Sequence, residues 1–190
     1  MGCGKSSVGR RLSELLCCPF MDLDAVIEER SGRSIPEIFA NDGETAFRDI
    51  ERDVLTDVLS ATMAVSSRGP LILSLGGGTV MTPECEAMIH EKTLCIYLRT
   101  SVDTLVSRLT DEAAGRPMLN VGRTSLDVSP SGAEKSGSHA EALRARIESL
   151  ISKRAAVYER TAHIIIDTDS HTIESLTGTL ITTIKPHFQL

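Results

Sequence analysis

At 190 residues, with 41% hydrophobic and 24% charged side chains, the chain suits one domain that buries its core without metal or disulfide staples. Its net charge of −6, its scattered lysines and arginines, and its 3% aromatic content without tryptophan argue against nucleic-acid binding. That function needs a concentrated basic face or stacking platforms. The five cysteines, Cys3, Cys17, Cys18, Cys85 and Cys95, form no C-x-x-C pair, so free thiols in a reducing cytosol are expected. Gly4-Lys5-Ser6 runs into Arg10-Arg11 without the apolar region of a secretory signal, and no apolar run reaches the ~20 residues of a membrane span. A soluble, cytoplasmic chain with no membrane partner is the expectation.

The opening MGCGKSSVGR has two readings. Met1-Gly2 with Ser6 fits an N-myristoylation signal, and Cys3 would be a second acylation site. Gly2-Cys3-Gly4-Lys5-Ser6 also fits the second half of a G-x-x-x-x-G-K-[ST] phosphate loop. Val8, Leu12, Leu15 and Leu16 then recur at helical spacing, predicting a helix over Ser6–Leu16. A helix at once after Lys5-Ser6 is the context a phosphate loop requires, whereas an acylation signal precedes a flexible or polybasic segment. The phosphate loop is the reading that fits.

Next comes a short predicted strand, Pro19–Asp24, ending in two acids. Ser34-Ile35-Pro36-Glu37 is a capping box that starts a short helix through Phe39. Asp42-Gly43 ends it, and a helix over about Glu44–Ser60 follows, with Phe47, Ile50, Val54 and Val58 on its core face. Leu71–Leu75 is a buried-type strand that stops at Gly76-Gly77-Gly78. Thr93–Leu98 and His163–Ile166 are two further apolar strands, separated by predicted helices at about Pro83–His90, Ser101–Leu109 and His139–Arg160. Continuous apolar strands alternating with amphipathic helices predict an α/β fold with a parallel sheet covered on both faces. Val121–Ser138, rich in Gly, Ser and Pro, reads as a mobile surface loop, since too little chain follows to form a second domain.

Several of these residues suit phosphoryl chemistry. Successive N–H groups of a phosphate loop and the positive end of the next helix hold phosphate. Lys5 would bridge the β- and γ-phosphates, and the Ser6 hydroxyl would ligate Mg²⁺. A strand-terminal pair, Asp22 and Asp24, would share one face at the carboxyl edge of the sheet, where ligands of open α/β folds bind; two solvated loop acids are the plain alternative. Arg154 lies eleven residues after Leu143, on the stripe of Ile147, Leu150 and Ile151. Arg48 lines up with Leu55 and Leu59. Arginines on apolar stripes either snorkel outward or meet an anion, and two of them suggest a pocket for a small carboxylate or phosphate. Three glycines at a strand end allow close ligand approach, or simply a tight turn. Arg116, ahead of the mobile stretch, could cover a transferring phosphoryl group or only meet solvent.

Taken in order, G-x-G-K-S, Met21-Asp22-Leu23-Asp24, Ser34-Ile35 with Ile38-Phe39, Glu44-x-x-Phe47-Arg48, Leu75-Gly76-Gly77-Gly78, Arg116-Pro117-x-Leu119 and Lys153-Arg154-x-x-x-Tyr158 resemble the shikimate kinase family from Met1 to Asp167. The resemblance implies a P-loop NTPase-like three-layer α/β/α domain over 1–190, with a five-stranded parallel sheet and a lid or insertion at 111–138. It implies ATP and Mg²⁺, shikimate as substrate, and phosphorylation of the shikimate 3-hydroxyl, a step towards chorismate and the aromatic amino acids. ATP would be held by Gly2, Cys3, Gly4, Lys5, Ser6, Ser7 and Arg116, and the metal by Ser6 and, largely through water, Asp22. Shikimate would be held by Asp24, Arg48, Gly77, Gly78 and Arg154, with Lys5, Asp24 and Arg116 as catalytic residues. Asp167–Ser170 would flank adenine. A monomer is expected.

Two departures from the family bear on these expectations. Leu119–Ser138 looks expanded, which should alter lid kinetics rather than chemistry. The family also has a strand and a glycine ahead of the position of Met1, and that strand lies in the middle of the sheet. Its loss should destabilise the chain, since a central strand carries ladder bonds on both sides. Met1 is accordingly expected to be an internal loop methionine, with a short β-branched run and a glycine encoded upstream. A gluconate or nucleoside monophosphate kinase, a P-loop protein without catalysis, and the acylated peripheral protein remain as competing readings.

Overall fold

The structure is a computed structural model that describes residues 3–64, 70–115 and 136–187. Helix α1 (Lys5–Leu16) buries Val8, Gly9 and Leu12, one face at helical spacing. Strand β1 (Phe20–Asp22) leads directly into α2 (Leu23–Ser31). Here the expected strand-terminal acid pair is corrected. Asp22 closes the strand and caps the helix, its carboxylate accepting the Asp24 N–H at 3.2 Å. A capping carboxylate satisfies an orphan donor and so starts a helix at once. Asp24 therefore sits in the first turn of α2, not on the strand.

The capping box is formed as expected at α3 (Ile35–Asn41), where Ser34 and Glu37 cap each other reciprocally. Helix α4 (Gly43–Ala64) runs longer than predicted. Strand β2 (Ile72–Ser74), a 3₁₀ turn at Thr79–Met81, α5 (Pro83–Lys92), β3 (Ile96–Arg99), α6 (Val102–Gly115), α7 (Ser136–Thr161), β4 (Ile164–Asp167) and α8 (Ile173–Ile184) complete the order. Of the predicted 111–138 insertion, 111–115 close α6 and 136–138 open α7; 116–135 lie outside the described residues. No element was predicted for 173–184. Its β-branched residues favour a helix weakly, yet Leu176, Leu180 and Ile184 pack with Val8 and Leu12 of α1, and that tertiary contact decides.

Strand pairing among the described residues is parallel, as expected. Phe20, Met21 and Asp22 lie opposite Ile72, Leu73 and Ser74, and Ile96–Arg99 lie opposite Ile164–Asp167. Among the described residues no strand joins β2 to β3, so the sheet stands as two halves, β1-β2 and β3-β4. One face packs on α1 and α8 through Ile72, Ile96, Leu98, Ile164 and Ile166. The other meets a larger core built from α2, α3, α4 and α5, including Leu23, Ile27, Ile38, Phe47, Leu55 and Ile89. Each fully buried leucine or isoleucine there contributes about 1.5–3 kcal/mol relative to exposure. Three layers follow, with the carboxyl ends of the strands at one rim.

Candidate active site

Gly4 has φ 80° and ψ 15°, a left-handed conformation that only glycine adopts without strain. It turns the chain into α1, whose first-turn N–H groups on Lys5, Ser6 and Ser7 have no partner within the helix. This is an anion-binding arrangement. The Lys5 ammonium donates to the Cys3 thiol at 3.7 Å, and Ser7 is exposed. The Ser6 hydroxyl donates to the Asp22 carboxylate at 2.7 Å, so the two expected metal residues are neighbours. Gly2 lies outside the described residues, as does Arg116, whose lid role is therefore an expectation from sequence only.

Gly76-Gly77-Gly78 gathers the rest. A Cβ on Gly76 would stand 2.8 Å from Asp24 Oδ1 and 3.3 Å from Glu51 Oε1. A Cβ on Gly78 would stand 2.5 Å from Arg48 Nη2, and one on Gly77 would stand 3.5 Å from Arg154 Nη1. Bare backbone thus lets two carboxylates and two guanidinium groups converge on a single turn, which is the use of glycine here. Arg154 donates to the Gly77 carbonyl at 3.1 Å, and the Tyr158 hydroxyl donates to the same oxygen. A cavity of about 180 Å³ opens beside them, with Lys5, Gly76, Gly77, Arg154 and Tyr158 at its polar end.

Glu51, almost completely buried, is a site residue that the sequence analysis does not single out. Its carboxylate accepts from Arg48 Nη1 at 2.7 Å and from the Thr79 hydroxyl at 2.6 Å. Thr79 also donates to the Gly76 carbonyl at 3.1 Å. Glu51 therefore links the arginine to the glycine turn. The signal was present: it is an acid on the apolar stripe of Phe47, Val54, Leu55 and Val58, three residues from Arg48. Tyr158 appeared only as part of a motif, one turn beyond Arg154, with no role attached.

Electrostatics separate the two acids of Met21–Asp24. Burial raises the Asp24 carboxyl above the ordinary carboxylate range; the negative charges of Asp22 and Glu51 push it further, and Lys5 opposes them. A carboxylate held high beside a cationic rim is a candidate proton acceptor. Burial pushes the Cys85 and Cys95 thiols up to about 11, so both are protonated and unreactive at neutral pH. At the far end of the rim, Asp167 pairs with Arg99 at 2.6 Å and Asp169 accepts the Ser101 N–H at 3.0 Å, shaping the loop expected beside adenine. No described helix is long and apolar enough to cross a membrane.

This geometry has counterparts in known proteins. The profile of the family described as SKI, shikimate kinase, matches residues 1–185. Shikimate kinase from Zymomonas mobilis is 44% identical over 119 residues, 63% of each chain. That of Stenotrophomonas maltophilia strain R551-3 is 34% identical over 189 residues, all of this chain and 90% of the relative. The solved shikimate kinase from Acinetobacter baumannii, in complex with shikimate, superposes with a TM-score of 0.74 at 29% identity, covering 98% of this chain and 89% of that one. The chain belongs to the shikimate kinase family.

Proposed function

We propose that the protein transfers the γ-phosphoryl group of ATP to the 3-hydroxyl of shikimate. The observation that carries this reading is the convergence of Asp24, Arg48 and Arg154 on the Gly76–Gly78 turn, beside a cavity that Lys5 also lines. A hydroxylated ring carrying a carboxylate meets complementary groups there. Arg48 and Arg154 hold the carboxylate through paired N–H donors. Asp24 accepts a hydrogen bond from the attacking hydroxyl and takes its proton as the new P–O bond forms. The first turn of α1 and the Lys5 ammonium hold the β- and γ-phosphates, so charge passing to the leaving ADP oxygen is met by fixed donors. Ser6 and Asp22, oxygen donors 2.7 Å apart, fit Mg²⁺, which binds few protein oxygens and keeps water and phosphate ligands. When bound, the ion neutralises phosphate charge.

An assay of ADP release tests the reaction. Release should depend on shikimate and should not be supported by gluconate or a nucleoside monophosphate. Turnover independent of shikimate, or none, would overturn the reading.

Two substitutions probe the arginine end. In Gly78→Ala the new Cβ meets the Arg48 guanidinium at 2.5–2.9 Å and must displace it. The backbone there, φ −107° and ψ −11°, suits alanine, so the fold should persist. Displacing a substrate clamp by about 1 Å costs on the order of 10²-fold, read as a raised KM for shikimate and a lowered kcat/KM. Gly77→Ala meets only ordinary contacts, at 3.5 and 3.6 Å, and should be much milder. Equal effects of the two would remove the clamp from the mechanism.

Glu51→Gln tests the buried acid. Its negative charge helps raise Asp24, so its neutralisation should let Asp24 ionise at lower pH. The acid limb of kcat/KM, where activity is lost as Asp24 gains a proton, then moves to lower pH. The KM for shikimate should rise about tenfold as Arg48 loses its charge-assisted anchor. An acid limb that stays in place would show that Asp24 is not the group titrating there.

A further inference from the structure

The Gly76–Gly78 turn is held by its carbonyl oxygens. The Gly76 carbonyl accepts from the Thr79 N–H at 3.3 Å and from the Thr79 hydroxyl at 3.1 Å. The Gly78 carbonyl accepts from the Met81 N–H at 2.9 Å. Both partners belong to the 3₁₀ turn that follows at once, so these two peptide units are fixed locally. The unit between them is held from a distance. The Gly77 carbonyl takes its donors from α7: Arg154 Nη1 at 3.1 Å and the Tyr158 hydroxyl. Four residues apart, the two side chains leave the same face of that helix.

Two glycines make that middle unit the one that turns over most easily. A peptide flip rotates ψ of Gly77 and φ of Gly78 by about half a turn each and leaves the flanking Cα atoms in place. Gly78 has φ −107°, so a flip carries it to about +73°, a left-handed value open to glycine and strained for other residues. A carbonyl oxygen has two lone pairs, and Arg154 and Tyr158 supply two donors. The donors are not equivalent. Arg154 is one of the pair that a substrate carboxylate draws upon, whereas the Tyr158 hydroxyl is spent on the turn alone. The Tyr158 ring lies against Tyr97 of β3, with centroids 5.1 Å apart, and against the larger core. Packing therefore aims its hydroxyl.

We propose that Tyr158 is a positioning residue that locks the Gly77–Gly78 peptide against flipping. With the Gly77 carbonyl turned to α7, the Gly78 N–H of the same planar unit points the opposite way. A flipped unit exchanges that donor for a carbonyl oxygen near Arg48, whose guanidinium lies against Gly78. Such an oxygen repels a substrate carboxylate and competes with it for the guanidinium donors. Tyr158 thus keeps the turn receptive to an anion while Arg154 serves the ligand. The consequence for shikimate rests on the reaction proposed above; the lock itself does not.

Tyr158→Phe removes the hydroxyl and keeps the ring. Its KM for shikimate should rise about tenfold, the scale of one lost hydrogen bond, with kcat and the KM for ATP changed less than about twofold. Gly78→Ala supplies the control, because alanine strains the flipped φ. Added to Gly78→Ala, Tyr158→Phe should change the KM by less than about twofold, a departure from additivity that a merely structural tyrosine would not show. Nitrogen-15 relaxation dispersion on the chain without substrate reads the flip directly. The amide at position 78 should show exchange in Tyr158→Phe and none in the parent chain or the double variant. A KM penalty of equal size in both backgrounds, or no exchange at position 78 in Tyr158→Phe, would overturn the lock. Exchange with an unchanged KM would keep the lock and overturn its link to shikimate. A parent chain without shikimate-dependent turnover would overturn the proposed reaction instead, and the dispersion measurement would still decide the lock.

Discussion

Asp24→Asn is expected to lower kcat about 10³-fold while leaving the KM for ATP essentially unchanged. Asparagine keeps the shape and a hydrogen-bond acceptor, so the ring hydroxyl can still be oriented, but it cannot take the proton. General-base contributions of 10²–10⁴ set the scale, and 10³ corresponds to about 4 kcal/mol of barrier. The fold should survive, because the cap of α2 is Asp22 and the Asp24 N–H that it holds is backbone. Losing an ionised group that burial and three like charges disfavour should if anything stabilise the fold at neutral pH. Single-turnover rates and a melting curve on the same variant separate chemistry from unfolding. A kcat within tenfold of the parent chain would make Asp24 an orienting residue only.

The parts of this site legible in the sequence are those set by local rules. The Ser34–Glu37 capping box is a four-residue device. The glycine, lysine and serine before α1 make a helix N-terminus whatever the chain does later. Arg48 and Arg154 stood out because each breaks an apolar stripe, and each does reach the glycine turn, directly or against Gly78. Asp22 and Asp24 are brought together by a helix cap, not by strand alternation. Leu23 fits either a strand or a helix core; the Asp22 cap decides, and a cap competes with strand extension over a single residue.

What stayed illegible depends on partners distant in sequence. Glu51 is readable as anomalous, but its meaning depends on Thr79, 28 residues away. Tyr158 acts on Gly77 across 81 positions. Helix α8 carries a poor helix-forming sequence that only the apolar face of α1 makes favourable. The division of the sheet follows the same logic. β2 and β3 each look like complete buried strands in sequence, whereas among the described residues each pairs with one strand, β1 and β4 respectively.

Lys5→Met should cost about 10³-fold in kcat/KM, with the KM for ATP raised as well, because a single fixed donor to developing charge in a water-excluded site is worth 10²–10³. The variant has a second consequence, which Asp24 reports. The Lys5 charge lowers the Asp24 carboxyl against burial, Asp22 and Glu51, so its removal lets Asp24 hold its proton to higher pH. The acid limb of the residual activity should therefore move up, opposite to its movement in Glu51→Gln. Methionine keeps the length and apolar stem of lysine, so the lining of the 180 Å³ cavity should persist. Opposite displacements in the two variants would tie the limb to one carboxyl between a cation and an anion. If both variants left it where it stands in the parent chain, the limb would belong to a different group, such as a phosphate of ATP, and Asp24 would lose its place as the base.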